Sequence, residues 1–148
     1  DLVIRVLAER SQCLVASPAL AQDHGMPPAP AELSDWPSLA IGTPQQDHTW
    51  HLYGPDGVQA TIHHRPRLVT GDMIALRNAA VAGVGVCQLP VMMVRDQLTD
   101  GSLVRLLPDW APRREILHAV FPSRRGLLPG VRLLIDYLAE RFEKMEED

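Results

Sequence analysis

Residues 71–90 read GDMIALRNAAVAGVGVCQLP, and the order of elements in this stretch decides the fold class. Gly71-Asp72 can open a helix, with Met73, Leu76, Arg77 and Ala80 recurring on one face. Gly83 stops it, because glycine enters the left-handed region without a Cβ penalty. Residues 84–89 then form an apolar run that predicts a buried central strand, and Pro90 closes it. A helix that feeds a buried strand through a glycine turn is an α/β signature.

The same alternation extends in both directions. Short strands are predicted at 2–6 (buried), 13–16, 39–42, 67–69, 103–107 and 115–121, and helices at 18–24 and 91–98. Ser17-Pro18 reads as an N-cap followed by proline in the first helical position, and Gly25 as the stop. Pro37 confines 32–36 to a short turn. The pair 49–53 and 58–64, joined by Gly54-Pro55-Asp56-Gly57, predicts a hairpin forming a second small sheet inserted in the first. Val131, Leu134, Ile135, Leu138 and Phe142 recur at helical spacing, which predicts a final helix with a buried stripe, followed by an acidic tail at 143–148. The resulting expectation is a mixed α/β fold with a largely parallel sheet.

Composition bounds the function. The 148 residues carry 14 Lys+Arg against 18 Asp+Glu, a net charge of −4, which disfavours a basic nucleic-acid-binding module in this stretch. The 13 prolines and 10 glycines exclude a helical bundle. No apolar run approaches the roughly 20 residues of a membrane helix, so no membrane partner is expected. Two cysteines, Cys13 and Cys87, make no disulfide framework and point to a reducing cytoplasm. Both sit in apolar runs and read as buried inert thiols. Asp1 is not an initiator methionine, and the chain is expected to be part of a longer protein.

Motifs for chemistry are weak. Ser17 lies in no G-x-S-x-G elbow, and its N-cap role accounts for it. Gly83-Val84-Gly85 follows a helix and precedes a strand, the reverse of a dinucleotide fingerprint, so no cofactor is implied; a helix stop plus close strand packing accounts for it. His48, His51, His63 and His64 share the hairpin, but His63 and His64 point to opposite faces and no further ligand completes a metal set. They are expected to be surface histidines, with no metal bound. Thr70-Gly71-Asp72 starts a helix after a strand, where free N–H groups can hold an anion, although Asp72 can instead cap the helix itself.

The ordered series DLVIR, LVASPAL, DW, WHLYGPDG, RPRL, AAVAGVGVCQLP, DGSLVRLLPDW, HAVFPSRR and IDYLAERF resembles the effector-binding domain of LysR-type transcriptional regulators over essentially the whole chain. The resemblance implies a periplasmic-binding-protein-like (type 2) fold: two Rossmann-like α/β subdomains joined by two crossover strands, here 14–17 and 86–90, with the N-terminal part of the first subdomain missing. The subdomains would be 1–17 with 89–148, and 18–88. The family's helix-turn-helix, through which such proteins reach DNA, is absent from the chain, as is a short stretch between Arg5 and Leu7. A small-molecule effector, a carboxylate or an aromatic, would bind in the cleft and shift a homodimer or homotetramer. Ser17 and Pro90 at the crossovers, Thr43, and Val69, Thr70, Gly71 and Asp72 would contact it. Thr43 and Thr70 can hydrogen-bond the effector and the helix start at Gly71 can hold its carboxylate, while Asp72 would repel that anion. A periplasmic solute-binding protein is the alternative on the same fold. An enzyme is not expected, since no nucleophile or metal constellation is present.

Overall fold

A computed structural model describes residues 2–122 and 128–145. The chain divides into two compact units. One holds strand β1 (Leu2–Arg10), strand β10 (Glu115–Pro122) and helix α4 (Pro129–Lys144); the other spans Ser11–Arg113.

In the smaller unit β1 and β10 pair antiparallel, with Ile4 opposite Val120 and Glu9 opposite Ile116. The register slips between Val6 and Ala8, a β-bulge. β1 thus runs on continuously through the place where the family resemblance marks an absent stretch. The strand expected at 2–6 is longer than predicted, and its apolar residues are not buried: Leu2, Ile4 and Val6 face outward. A run of three apolar residues hides the alternation, because Val3 between them is apolar too. Helix α4 forms where expected, but of its predicted stripe only Ile135, 8% exposed, is buried, and Leu134 is 55% exposed. A two-stranded sheet offers one face narrow enough to cover a single residue row of the helix. The expected acidic tail begins inside α4, and from residue 146 it lies outside the described residues.

The larger unit carries the other elements. Strand β2 (Gln12–Ala16) is central between β7 (Cys87–Pro90) and β8 (Val104–Leu106), antiparallel to both. The run at 84–89 is therefore an edge strand, shorter than expected, since Val86 joins a bridge to Ser38 instead. Strands β3 (Leu39–Ile41) and β6 (Leu68–Thr70) pair in parallel. The hairpin β4 (His48–Tyr53) and β5 (Gln59–His64) forms its own sheet with β9 (Ala111–Pro112). Among the described strands only β3 and β6 are parallel, so the largely parallel sheet is corrected to mostly antiparallel ladders. The alternation of helices and strands is real, but the hairpin and returning strands β8 and β9 interrupt the βαβ units.

Two hydrophobic clusters hold this unit together. Leu14, Leu33, Trp36, Trp50, Leu52 and Ile62 form one between β2 and the hairpin. Cys13, Val15, Leu39, Leu76, Ala80 and Leu89 form the other beneath helix α2 (Met73–Val81). Alternate residues of β2 serve opposite clusters, as strand geometry requires. Leu76 and Ala80 are buried, as the helical face of α2 predicts, and Arg77 donates to the Met93 carbonyl at 2.9 Å.

Candidate functional site

Five of the seven effector-contact candidates meet at one edge of the larger unit. Parallel pairing sets Ile41 opposite Thr70, so β3 and β6 end together. Gly42 and Thr43 leave β3 where Gly71 and Asp72 leave β6, and the Gly42 N–H donates to the Thr70 carbonyl at 3.2 Å. Carboxyl ends of parallel strands are where α/β folds place ligands, because the strand-to-helix loops there present free polar groups. Val69 lies one residue back in β6, half-buried.

Local hydrogen bonds fix this edge. The Asp72 N–H donates to Thr70 Oγ1 at 3.2 Å. Asp72 Oδ1 accepts from the Ile74 and Ala75 N–H groups at 2.9 and 3.2 Å. Of the two roles open to this helix start, Asp72 takes the capping one, and its carboxylate occupies the donors an anion would use. The Thr43 N–H donates to Gln46 Oε1 at 3.1 Å, and the Thr43 carbonyl accepts from His48 Nε2 at 3.1 Å. The threonine side chains at 43 and 70 stand at the strand ends, with Thr43 exposed and Thr70 half-buried.

Ser17 and Pro90 belong to the antiparallel β2–β7 region rather than to this edge. Ser17 is buried, and its Oγ accepts from the Leu20 N–H at 3.1 Å, capping helix α1 (Pro18–His24) as its sequence predicts. Pro90 pairs with Gln12 and precedes helix α3 (Val91–Asp100). The thiols of Cys13 and Cys87 are both buried. Burial pushes Cys87 up to about 12, with Cys13 adding in the same direction, so this thiol stays protonated and unreactive near neutrality.

The hairpin histidines differ from expectation in one respect. His48 and His64 are a cross-strand pair, but His64 is only 8% exposed, so it is not a surface residue. Its ring stacks on Trp50 at 3.9 Å between centroids and 16° between planes. Its Nδ1 lies 2.7 Å from the buried Ser38 Oγ. The alternation along the hairpin carries the signal: Trp50, Leu52, Ile62 and His64 all belong to the inward face, whereas a cluster of four histidines draws attention to the outward one. Among the described residues no group of three His, Cys, Asp or Glu side chains is placed to hold a metal ion.

Burial lowers His64 to about 4 from its ordinary 6.5, and the neighbouring His48 acts in the same direction. The unfolded chain then binds this proton first as pH falls. The stability due to neutral His64 is complete above pH 6.5 and is lost progressively between pH 6.5 and 4. We expect a loss on the order of 2 kcal/mol across this window. Urea midpoints measured at pH 7 and pH 4.5 should separate less in His64→Phe, which keeps the stack but has no proton to bind. An equal separation in the variant would remove His64 as the cause.

Two adjoining cavities flank this ring, of about 680 and 300 Å³. Both are lined by Asp47, His48, His64 and Arg65. The larger also reaches Asp35 and Arg67, and the smaller reaches Gln46 and Val69.

Comparison with known proteins identifies the fold. Residues 1–143 match the family model described as the LysR substrate binding domain. The HTH-type transcriptional activator AaeR of Escherichia coli (strain K12) is 26% identical over 142 residues, 96% of this chain and 46% of that protein. The HTH-type transcriptional regulator PtxR of Pseudomonas aeruginosa is 32% identical over 139 residues, 90% of this chain and 43% of that protein. The regulatory domain of an AphB variant from Vibrio vulnificus superposes with a TM-score of 0.79 at 31% identity, covering 94% of this chain and 69% of that one. The chain thus spans less than half the length of these two regulators. The fold is that of LysR regulatory domains, with their periplasmic-binding-protein-like α/β architecture. These relatives are transcriptional regulators, not enzymes. With nearly its whole length matched, the chain belongs to the LysR substrate-binding domain family.

Proposed function

We propose that this chain is the effector-sensing part of a DNA-binding transcriptional regulator. The observation that carries this reading is the convergence of the Thr43 loop with Thr70, Gly71 and Asp72 at the carboxyl ends of β3 and β6. In this reading Thr43 and Thr70 hydrogen-bond a small molecule and Val69 packs against it. Ser17 and Pro90 border it from the crossover strands. The Asp72 carboxyl group already accepts from the first N–H groups of α2, so an effector carboxylate is directed away from that helix end. The subdomains are 1–17 with 89–148, and 18–88, and the cleft between them receives the effector, a small carboxylate or aromatic.

Binding changes transcription only as far as the effector prefers one arrangement of subdomains over the other. A homodimer or homotetramer carries that preference to DNA-reading helices outside this chain. The setting is the cytoplasm; no described helix is long and apolar enough to cross a membrane. The transcriptional regulators among the relatives favour this reading over a periplasmic solute-binding protein of the same fold.

The test begins with a thermal-shift screen of small carboxylates and aromatics. The compound found is then titrated against reporter transcription by the full-length regulator carrying Thr43→Ala and Thr70→Ala. Losing two hydrogen bonds of about 1 kcal/mol each should raise the half-maximal effector concentration at least roughly tenfold. DNA binding without effector should stay unchanged. A reporter response identical to wild type would overturn the assignment.

A further inference from the structure

The segment that carries Thr43 leaves β3 through a glycine hinge. Gly42 sits at φ +122°, a conformation that residues with a Cβ rarely adopt. Its N–H is tied to the Thr70 carbonyl, so the chain is fixed up to this point. Thr43 itself is exposed and belongs to no strand. A residue placed just beyond a glycine is free to swing, and a ligand that must immobilise it loses affinity to that ordering. Something other than the sheet has to hold Thr43.

Gln46 does so at two points. Residues 43–46 form a turn in which the Gln46 N–H donates to the Thr43 carbonyl at 3.2 Å. Pro44 takes the second position, where its fixed φ favours the turn. The Gln46 side chain folds back, and its Oε1 accepts from the Thr43 N–H at 3.1 Å. An N–H needs an acceptor, which decides that the oxygen end of the carboxamide faces the loop. Both polar groups of the Thr43 backbone are thus engaged by one residue, and His48 Nε2 adds a second donor to the carbonyl. The carboxamide also lies over Gly42, where any Cβ would run into Gln46 Oε1. Gln46 further borders the 300 Å³ cavity that reaches Val69, so it stands at the same edge as the candidate contacts.

We propose that Gln46 is a positioning residue of the effector site. Its carboxamide oxygen holds the Thr43 backbone so that the Thr43 hydroxyl stands ready at the ends of β3 and β6. The proposal rests on the reading of Thr43 as an effector contact. Gln46 acts through Thr43, and it raises affinity by removing motion before binding rather than by adding a contact.

Two variants separate the oxygen from the bulk of the side chain. Gln46→Met keeps the length and loses the acceptor, whereas Gln46→Glu keeps an acceptor oxygen. By NMR of the 148-residue chain, the Thr43 amide should exchange with water roughly threefold to tenfold faster in Gln46→Met, the fold-change of one hydrogen bond. In Gln46→Glu it should stay within about twofold of wild type. The best binder from the screen of small carboxylates and aromatics is then titrated into the same chain. Gln46→Met should weaken it at least roughly threefold, but less than about 1.5-fold in the Thr43→Ala background, where no hydroxyl is left to position. A residue that merely supports the fold would cost the same in both backgrounds. If no compound loses affinity in Thr43→Ala, the effector reading fails and the proposal falls with it. If Thr43→Ala weakens binding and Gln46→Met does not, the reading stands and the proposal alone is overturned. Unchanged amide exchange in Gln46→Met, equally fast exchange in Gln46→Glu, or equal costs in the two backgrounds would also overturn it.

Discussion

Truncation of Trp50 to alanine should lower the stability of the Ser11–Arg113 unit by about 3–5 kcal/mol. Trp50 is 3% exposed and lies in the cluster that joins the hairpin to β2. Its loss removes the apolar area it buries and leaves a cavity that Leu33, Trp36 and Ile62 can fill only in part. The hairpin has little to replace it, since among the described strands it pairs, beyond its own ladder, only with the two residues of β9. The same change uncovers His64, whose ring then has water on its Trp50 side. The pH dependence between 6.5 and 4 should shrink along with the stability. Urea unfolding at pH 7 and pH 4.5 measures both effects in one series. A loss under about 1 kcal/mol would show that the cluster does not depend on this ring.

Gly85→Ala should be nearly as damaging, with a loss of about 2–4 kcal/mol. A Cβ at Gly85 would stand 2.9 Å from the Pro37 carbonyl carbon and oxygen and from Ser38 Cα. All three are backbone atoms, so no side chain can swing aside. The two segments are also tied together, by Val86 N–H to the Pro37 carbonyl at 2.9 Å and Leu39 N–H to the Val86 carbonyl at 2.8 Å. Relief would require breaking this bridge, and with it the placement of Ser38 beneath His64. Gly71→Ala is the control: nothing lies within 4 Å of its added Cβ. Thermal unfolding of both variants should show a large fall for the first and almost none for the second. Equal midpoints would mean that the contact at Gly85 relaxes freely.

These two sites also mark what a sequence can convey. The close packing at Gly85 is legible, because a glycine set between a helix stop and an apolar strand marks a place where another backbone comes near. The caps at Ser17 and Asp72, the turn at Gly54–Gly57 and the hairpin are legible for the same reason, that local geometry restricts the residue types. The exposure of Leu2, Ile4 and Val6, and of Leu134, is not. An apolar side chain in a strand or helix states a preference for burial, and whether anything covers it is decided by distant parts of a chain. The burial of His64 escapes a local reading because it depends on Trp50 across the strand and on Ser38 just ahead of β3. The candidate effector contacts came from family likeness, and the meeting of Thr43 with Thr70 follows only once β3 and β6 are parallel neighbours.

The slip between Val6 and Ala8 has an electrostatic consequence. Along β1, even-numbered side chains point outward as far as Val6. One extra residue inverts the parity, so that Glu9 becomes the outward residue and Arg10 turns in, 4% exposed. There Arg10 Nη2 donates to the carbonyl of Phe142 at 3.1 Å, in the last turn of α4. A helix ends in carbonyls with a partial negative charge, which a guanidinium offsets. In a strand of unbroken phase Arg10 would lie on the outer face beside Ile4 and Val6, and the Phe142 carbonyl would lose this charged donor, leaving only Arg141 and Lys144 of the helix's own last turn to offset its end.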